Sequence, residues 1–365
     1  MNDTSRVMSA LPPAQLHIDL AALLANYRAL CHIAAPARVS AVVKANAYGL
    51  GVGPVAEALV AAGCDTFFVS SLAEGLELRA LQPSIRVLVL EGAGGDVATC
   101  LAARLVPVLN TPAEVHEWAV RGGSAPAVLQ LDTGMMRAGL DAADVAALTA
   151  LPSPLAALNL ALVMTHLACA DEPGHPLNRL QVERFAALRA QLPAAPTSIG
   201  NSAGTLLGAD FRGDLVRPGL ALYGGRPLAS GANPMQPVVR LEARVLQVRE
   251  LHDEATVGYG ASARVRPPAR IATVGAGYAD GYPRALGNRG YAWIAGARVP
   301  VIGRVSMDLT TLDVSSLSAD AVRVGDTADL LGGGVSLEEA ADLAGTVNYE
   351  LLTRLSTRLA RCYHR

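Results

Sequence analysis

From residue 38 to about 235, short continuous apolar runs alternate with stretches rich in alanine and leucine. The runs are RVSAVVKAN (38–46), TFFVSS (66–71), IRVLVLEG (85–92), LVPVLN (105–110), APAVLQLDTG (125–134), LNLALVMTHL (158–167), PTSIGNSA (196–203) and LVRPGLALYG (215–224). Runs without polar alternation predict strands buried on both faces, and helical stretches between them predict a parallel sheet. GPVAEALVAAG and LAEGLELRALQ carry apolar residues at helical spacing. TPAEVHEWAV opens with Thr111 as N-cap and Pro112 at the first helical position. Eight strand–helix units predict an α/β fold, a (β/α)8 TIM-like barrel, with a doubly wound sheet as the alternative.

After residue 236 the texture changes. VVRLEARVLQVREL, RIATVGAG, ARVPVIGRV, LTTLDVS and VRVGDTADLLG are β-branched and alternating, and Gly, Pro, Asn and Asp separate them. This predicts a mainly antiparallel β domain. SLEEAADLAG and YELLTRLSTRLAR read as a helical end, with Ser336 and Glu339 as a capping box. The boundary falls in GGRPLASGANPMQP (224–237). The expected domains are a barrel over 1–235, whose first residues are free to pack on the β domain, and a β domain over 236–365.

The chain has 365 residues, 51% hydrophobic and 17% charged, which is enough for a large core and excludes disorder as the main state. Lys+Arg 30 against Asp+Glu 32 leaves a formal charge of -2, so no basic excess points to nucleic acid or anionic lipid. The five cysteines are scattered, without a C-x-x-C, which argues against a disulfide scaffold. MNDTSRVMSALPPAQ has no apolar core of a secretory signal, and LNLALVMTHLACA (158–170) is too short to span a bilayer. The expected address is the cytoplasm.

Lys44 is the single lysine among the 30 basic residues. Arginine serves wherever a positive charge suffices, but it cannot replace an amine that must lose its proton and attack a carbonyl. Active groups of such barrels lie at the C-terminal ends of the strands. Those ends collect Lys44, Asn46 and Tyr48; Asp132, Thr133 and Arg137; Thr165 and His166; Asn201 and Ser202; and Arg217, Gly219 and Tyr223. Arg137, Ser202 and the turn at Gly219 are suited to binding anions by charge or backbone N–H.

AVVKANAYGLG around Lys44 resembles the cofactor-lysine segment of the alanine racemase family of pyridoxal-phosphate enzymes. DTGMMRAG (132–139), MTHLACAD (164–171), NSAG (201–204), RPGLALYG (217–224), VGYGASA (257–263), GYADGYPR (277–284) and GRVSMD (303–308) resemble family motifs in the same order. The resemblance implies a barrel plus β domain, racemisation of alanine, and D-alanine supply as a peptidoglycan precursor. It implies that Lys44 holds pyridoxal 5'-phosphate as a Schiff base and serves as a base on one face of the substrate Cα. Tyr259 would be the base on the other face, supplied by the partner subunit of a homodimer. The resemblance places His166 against that tyrosine and Arg217 against both His166 and the pyridine nitrogen. Tyr48, Ser202 and the N–H groups of Gly219 and Leu220 would hold the phosphate. Arg137 and the Met307 backbone would receive the substrate carboxylate, and Tyr278 and Asp308 would stand at the entrance.

Two positions depart from the family pattern. Gln130 stands where some relatives carry a carbamylated lysine, and Thr357 aligns where some place a phosphate-binding tyrosine. The alternatives are a racemase of broader specificity, such as for serine, and a non-catalytic pyridoxal-phosphate protein, which would lack the β domain. A zinc-assisted relative would need ligands such as Cys362 and His364, whose spacing alone is a weak signal, and no metal is expected.

Overall fold

The apolar runs form parallel strands whose central positions are covered on both sides. Thr66–Val69 and Val106–Leu109 are buried at every position. In the computed structural model, which describes residues 12–151 and 153–365, seven strands pair in sequence order. They are Ala41–Val42, Thr66–Val69, Arg86–Val89, Val106–Leu109, Pro126–Gln130, Asn159–Met164 and Thr197–Ser198. Leu215–Val216 pairs in parallel with Arg38–Val39, so the eighth strand lies against the first. Ser40 N–H donates to the Val216 carbonyl and Val42 N–H to that of Pro218, each at 3.0 Å. On its other side, Arg217 N–H donates to the Gly200 carbonyl (2.8 Å) within a parallel bridge Asn201–Arg217. The ring therefore closes as a barrel rather than opening as a doubly wound sheet.

Helices follow the strands, and local chemistry sets their starts. Ser71 Oγ accepts the Glu74 N–H at the head of Leu72–Leu81. Thr111 and Glu114 form a full capping box before Pro112–Arg121.

The chain divides into two units. One is Leu20–Val238; the other joins the described residues up to Asp19 with Val239–Arg365. In the second unit the long strand Val239–Leu251 pairs antiparallel with Ala14–Asp19, Ala269–Val274 and Thr327–Leu331. Ala14–Asp19 is thus a strand of the β unit rather than of the barrel. It buries alternate residues, which places Leu16 and Ile18 in the core.

Two local expectations need correction. Within Tyr349–Arg361 the helix Asn348–Thr353 ends early, and Ala360–His364 forms a strand parallel to Ala14–Asp19. Ser356 Oγ accepts the Arg358 N–H, a local turn that competes with helix, and the edge of Ala14–Asp19 offers a ladder instead. Ser336 Oγ does cap Leu337–Ala344 by accepting the Glu339 N–H. The Glu339 carboxylate, however, pairs with Arg298, so the box is half formed. Among the described residues no helix is long and apolar enough to cross a membrane.

Candidate active site

Lys44 follows the first barrel strand, Ala41–Val42, after the single residue Val43. The next four residues, Ala45 to Tyr48, all have φ between +52° and +54°. This is a single left-handed turn, costly for side chains with a Cβ by about 1–2 kcal/mol per residue. It is held by Ala47 N–H to the Val43 carbonyl and Gly49 N–H to that of Ala45, both at 2.8 Å. Asn46 Oδ1 accepts the Val52 N–H (2.7 Å). The Glu74 carboxylate accepts the N–H groups of Ala45 and Ser70, each at 2.7 Å. Strain of this kind persists only where surrounding bonds over-determine it. Burial pulls the pKa of Lys44 down, Arg137 adds to this, and Glu74 and Glu91 oppose it. The amine is therefore more readily available as a neutral nucleophile or base.

The turn brings Tyr48 to the end of the eighth strand. A Cβ on Gly219 would collide with Tyr48 Oη, so only glycine admits the phenol there. Ser202 is buried, and its Oγ accepts the N–H groups of Gly219 (3.0 Å) and Ala221 (3.2 Å). Leu220, in the same turn, is buried. Tyr48, Ser202, Gly219 and Leu220 thus gather at the ends of the first, seventh and eighth strands. Hydroxyls and turn N–H groups of this kind suit a bound anion.

Arg217 is buried at the same end, and its hydrogen-bond partners are all neutral. Nη1 donates to Ser198 Oγ (2.5 Å) and Nη2 to the Thr165 carbonyl (2.7 Å). Nη2 also lies 3.4 Å from His166 Nδ1. Burial lowers the Arg217 pKa to about 10, which leaves it a cation at neutrality. Burial lowers His166 to about 3, with Arg217, Arg137 and Lys44 adding to the shift. Its imidazole is neutral and able to accept a hydrogen bond from a cationic donor. Arg137 is exposed, on a loop shaped by Asp132, whose Oδ1 accepts the N–H groups of Gly134, Met135 and Met136. Gln130 sends its Nε2 to the Ala138 carbonyl (3.0 Å) and so ties the root of that loop.

In the β unit, Tyr259 and Tyr278 line one cavity of about 330 Å³ with Arg284, Arg304 and Val305. Tyr259 is 71% exposed, on the tight turn between Ala255–Val257 and Ala263–Val265. GYADGYPR and GRVSMD interlock here. Tyr278 N–H donates to the Ser306 carbonyl (3.0 Å) and Ala279 N–H to that of Met307 (2.9 Å). A Cβ on Gly277 would collide with both carbonyl oxygens. Met307 is exposed, and Asp308 Oδ1 accepts from Arg358 Nη2 (2.7 Å), whose Nε pairs with the buried Asp280 (2.9 Å). Thr357 lies in an exposed turn. Cys362 Sγ donates to Gln15 Oε1 (3.4 Å), and His364 Nε2 lies 2.9 Å from His17 Nδ1.

Residues 18–227 match the model of the alanine racemase N-terminal domain, and 238–363 that of the alanine racemase C-terminal domain. The chain belongs to the alanine racemase family. It is 49% identical over 360 residues to an alanine racemase of Rhodospirillum rubrum, covering 96% of each chain. It is 44% identical over 354 residues to a catabolic alanine racemase of Agrobacterium fabrum, covering 95% of this chain and 91% of the relative. Among solved structures, the alanine racemase of Bartonella henselae with covalently bound pyridoxal phosphate matches with a TM-score of 0.93. That match has 38% identity and covers 97% of this chain and all of that one. Biosynthetic alanine racemase from Pseudomonas aeruginosa matches with a TM-score of 0.90 at 37% identity, with the same coverage. Glu74, Ser198 and Gln181 were not singled out by sequence reasoning. Glu74 sits in a readable S-x-x-E cap pattern, but nothing local tells that its carboxylate also reaches the Lys44 turn.

Proposed function

We propose that the protein interconverts L-alanine and D-alanine using pyridoxal 5'-phosphate held by the barrel. The observation that carries this is the sole lysine. It stands on a strained, over-determined turn, in a setting that lowers its pKa, and that turn delivers Tyr48 to the anion cradle of Ser202 and Gly219. These residues fit the cofactor: an amine for its aldehyde, a cradle for its phosphate and the buried cation Arg217 for its ring nitrogen. Bound there, pyridoxal phosphate supplies the aldehyde that captures an amine and a conjugated ring that withdraws electron density from the substrate Cα.

Lys44 anchors the cofactor and, once its amine is free, takes or gives the Cα proton on one face. Tyr259 does the same on the opposite face. Arg217 presents a guanidinium that does not readily surrender a proton, so it holds the ring nitrogen without protonating it. Its cost of burial is met by the neutral acceptors Ser198, Thr165 and His166. Arg137 and the Met307 backbone receive the substrate carboxylate, while Tyr278 and Asp308 stand at the entrance. Each site takes Lys44 from one chain of a homodimer and Tyr259 from the other. The working location is the cytoplasm, where D-alanine serves as a peptidoglycan precursor. Family membership over nearly the whole chain supports this reading.

Borohydride reduction followed by peptide mapping tests it, because one lysine leaves one side-chain target. Label on the Lys44 peptide, with Lys44→Arg losing both label and racemisation, is the expected result. Racemisation retained by Lys44→Arg rejects it, since a guanidinium stays protonated.

A further inference from the structure

The helix Pro176–Arg189 lies on the barrel wall, yet it sends a fully buried amide inward. Gln181 is 0% exposed. Ala168 N–H donates to its Oε1 (2.8 Å), and its Nε2 donates to the His166 carbonyl (3.0 Å) and to Thr133 Oγ1 (3.2 Å). The amide orientation follows from the partners, because a backbone N–H can only donate and a carbonyl can only accept. Thr133 Oγ1 accepts from Gln181, so its own proton serves the 2.8 Å contact to Thr165 Oγ1. The Thr165 hydroxyl in turn donates to the Leu131 carbonyl (2.9 Å). One directed chain of donors thus runs from Gln181 through Thr133 and Thr165 to Leu131, all of it buried. Arg184, one turn along the same helix, adds a bond from Nη1 to the Thr133 carbonyl (3.1 Å). The Thr165 carbonyl is the acceptor for Arg217 Nη2.

We propose that Gln181 is a positioning residue. Through Thr133 it fixes the end of the fifth barrel strand, and through His166 and Ala168 the end of the sixth. The loop that carries Arg137 and the segment that carries His166 are thereby held in one fixed relation. Directed chains in a buried setting act as a unit, and an unmet member costs more than a missing bond. The inference rests on Arg137 and His166 being site residues, as read above. A small displacement of a binding group costs catalysis heavily, so loosening this tie should be seen in the kinetics.

The test uses the cofactor-loaded enzyme and four variants: Gln181→Met, which keeps shape without the amide, Thr133→Val, Thr133→Ser and the double Gln181→Met/Thr133→Val. Hydrogen–deuterium exchange is followed over 131–140 and 164–168, with 86–89 as an internal reference, beside kcat and KM for both alanine enantiomers. Expected are faster exchange in those two segments alone and a fall in kcat/KM of about tenfold to a hundredfold, with KM raised. Thr133→Ser should restore both readouts, and the double variant should lose less than the sum of the two singles, because the Gln181–Thr133 bond is already broken in each. Unchanged exchange in Thr133→Val or Gln181→Met, or additive losses in the double, overturns the proposal. If Gln181→Met does not fold, Thr133→Val against Thr133→Ser decides by the same readouts. A wild-type enzyme that binds cofactor without racemising alanine would reject the functional reading, and the exchange comparison would still stand or fall by itself.

Discussion

His166 is a histidine that the protein keeps neutral. Burial is the main cause, and the cations Arg217, Arg137 and Lys44 add to it, bringing the pKa to about 3 against an ordinary 6.5. Between those values an unfolded chain binds a proton at this residue that the folded chain does not. The stability linked to this group is full above about 6.5 and is lost as pH falls toward 3. His166→Gln removes the titration while keeping a hydrogen-bonding side chain. The variant should show a flatter fall of Tm with acid over that window than the wild type, measured by thermal unfolding across a pH series. Parallel curves would show that the acid sensitivity lies elsewhere. At this scale the sequence was legible where a residue type is itself unusual. A lone lysine among arginines marks Lys44 without any neighbour. Gln181 and Ser198 were not legible, because an ordinary polar residue gains its role only when folding buries it opposite a particular carbonyl or guanidinium.

The left-handed turn from Ala45 to Tyr48 shows how an element can oppose its own residues. Alanine disfavours φ near +52°, and three of the four residues after Lys44 lack the short polar side chain that eases it. Glu74 and the backbone bonds of the turn impose it. Ala45 is exposed, so Ala45→Gly removes strain without opening a cavity. It should raise unfolding stability by up to about 1 kcal/mol in denaturant titration, since glycine adopts positive φ freely. Racemisation should slow in the same variant, because the segment that aims Lys44 becomes less rigid. Lower stability in Ala45→Gly would show that the turn is not strained. Elements whose signals are local were readable: the Thr111 N-cap before Pro112 and the continuous apolar strands appear where the pattern puts them. The stretch after Thr353 was not, because its strand depends on an edge supplied by Ala14–Asp19, far away in sequence.

Lys44 belongs to the unit Leu20–Val238 and Tyr259 to the unit that contains Val239–Arg365. A planar carbanion must be reprotonated from either side, and one tightly held amine reaches only one of them. Two bases on opposite faces meet that need, and the proposed homodimer draws them from different chains. Mixing Lys44→Ala chains with Tyr259→Phe chains tests both statements at once. Each homodimer is damaged at both of its sites. In a mixed dimer with shared sites, one site carries both lesions and the other carries none. Random exchange of equal amounts puts half the dimers in the mixed form, so about a quarter of wild-type activity should return. If both bases came from one chain, every site would keep one lesion and nothing would return, even with subunit exchange demonstrated by differently tagged chains. Tyr259→Phe alone separates the faces. It removes one oxygen from an exposed side chain and should leave the fold intact. Exchange of the Cα hydrogen in heavy water, followed in a single turnover, should slow far more for L-alanine than for D-alanine. Equal slowing for the two enantiomers would reject the assignment of one base to each face, while recovery in the mixed dimer would still uphold the shared site.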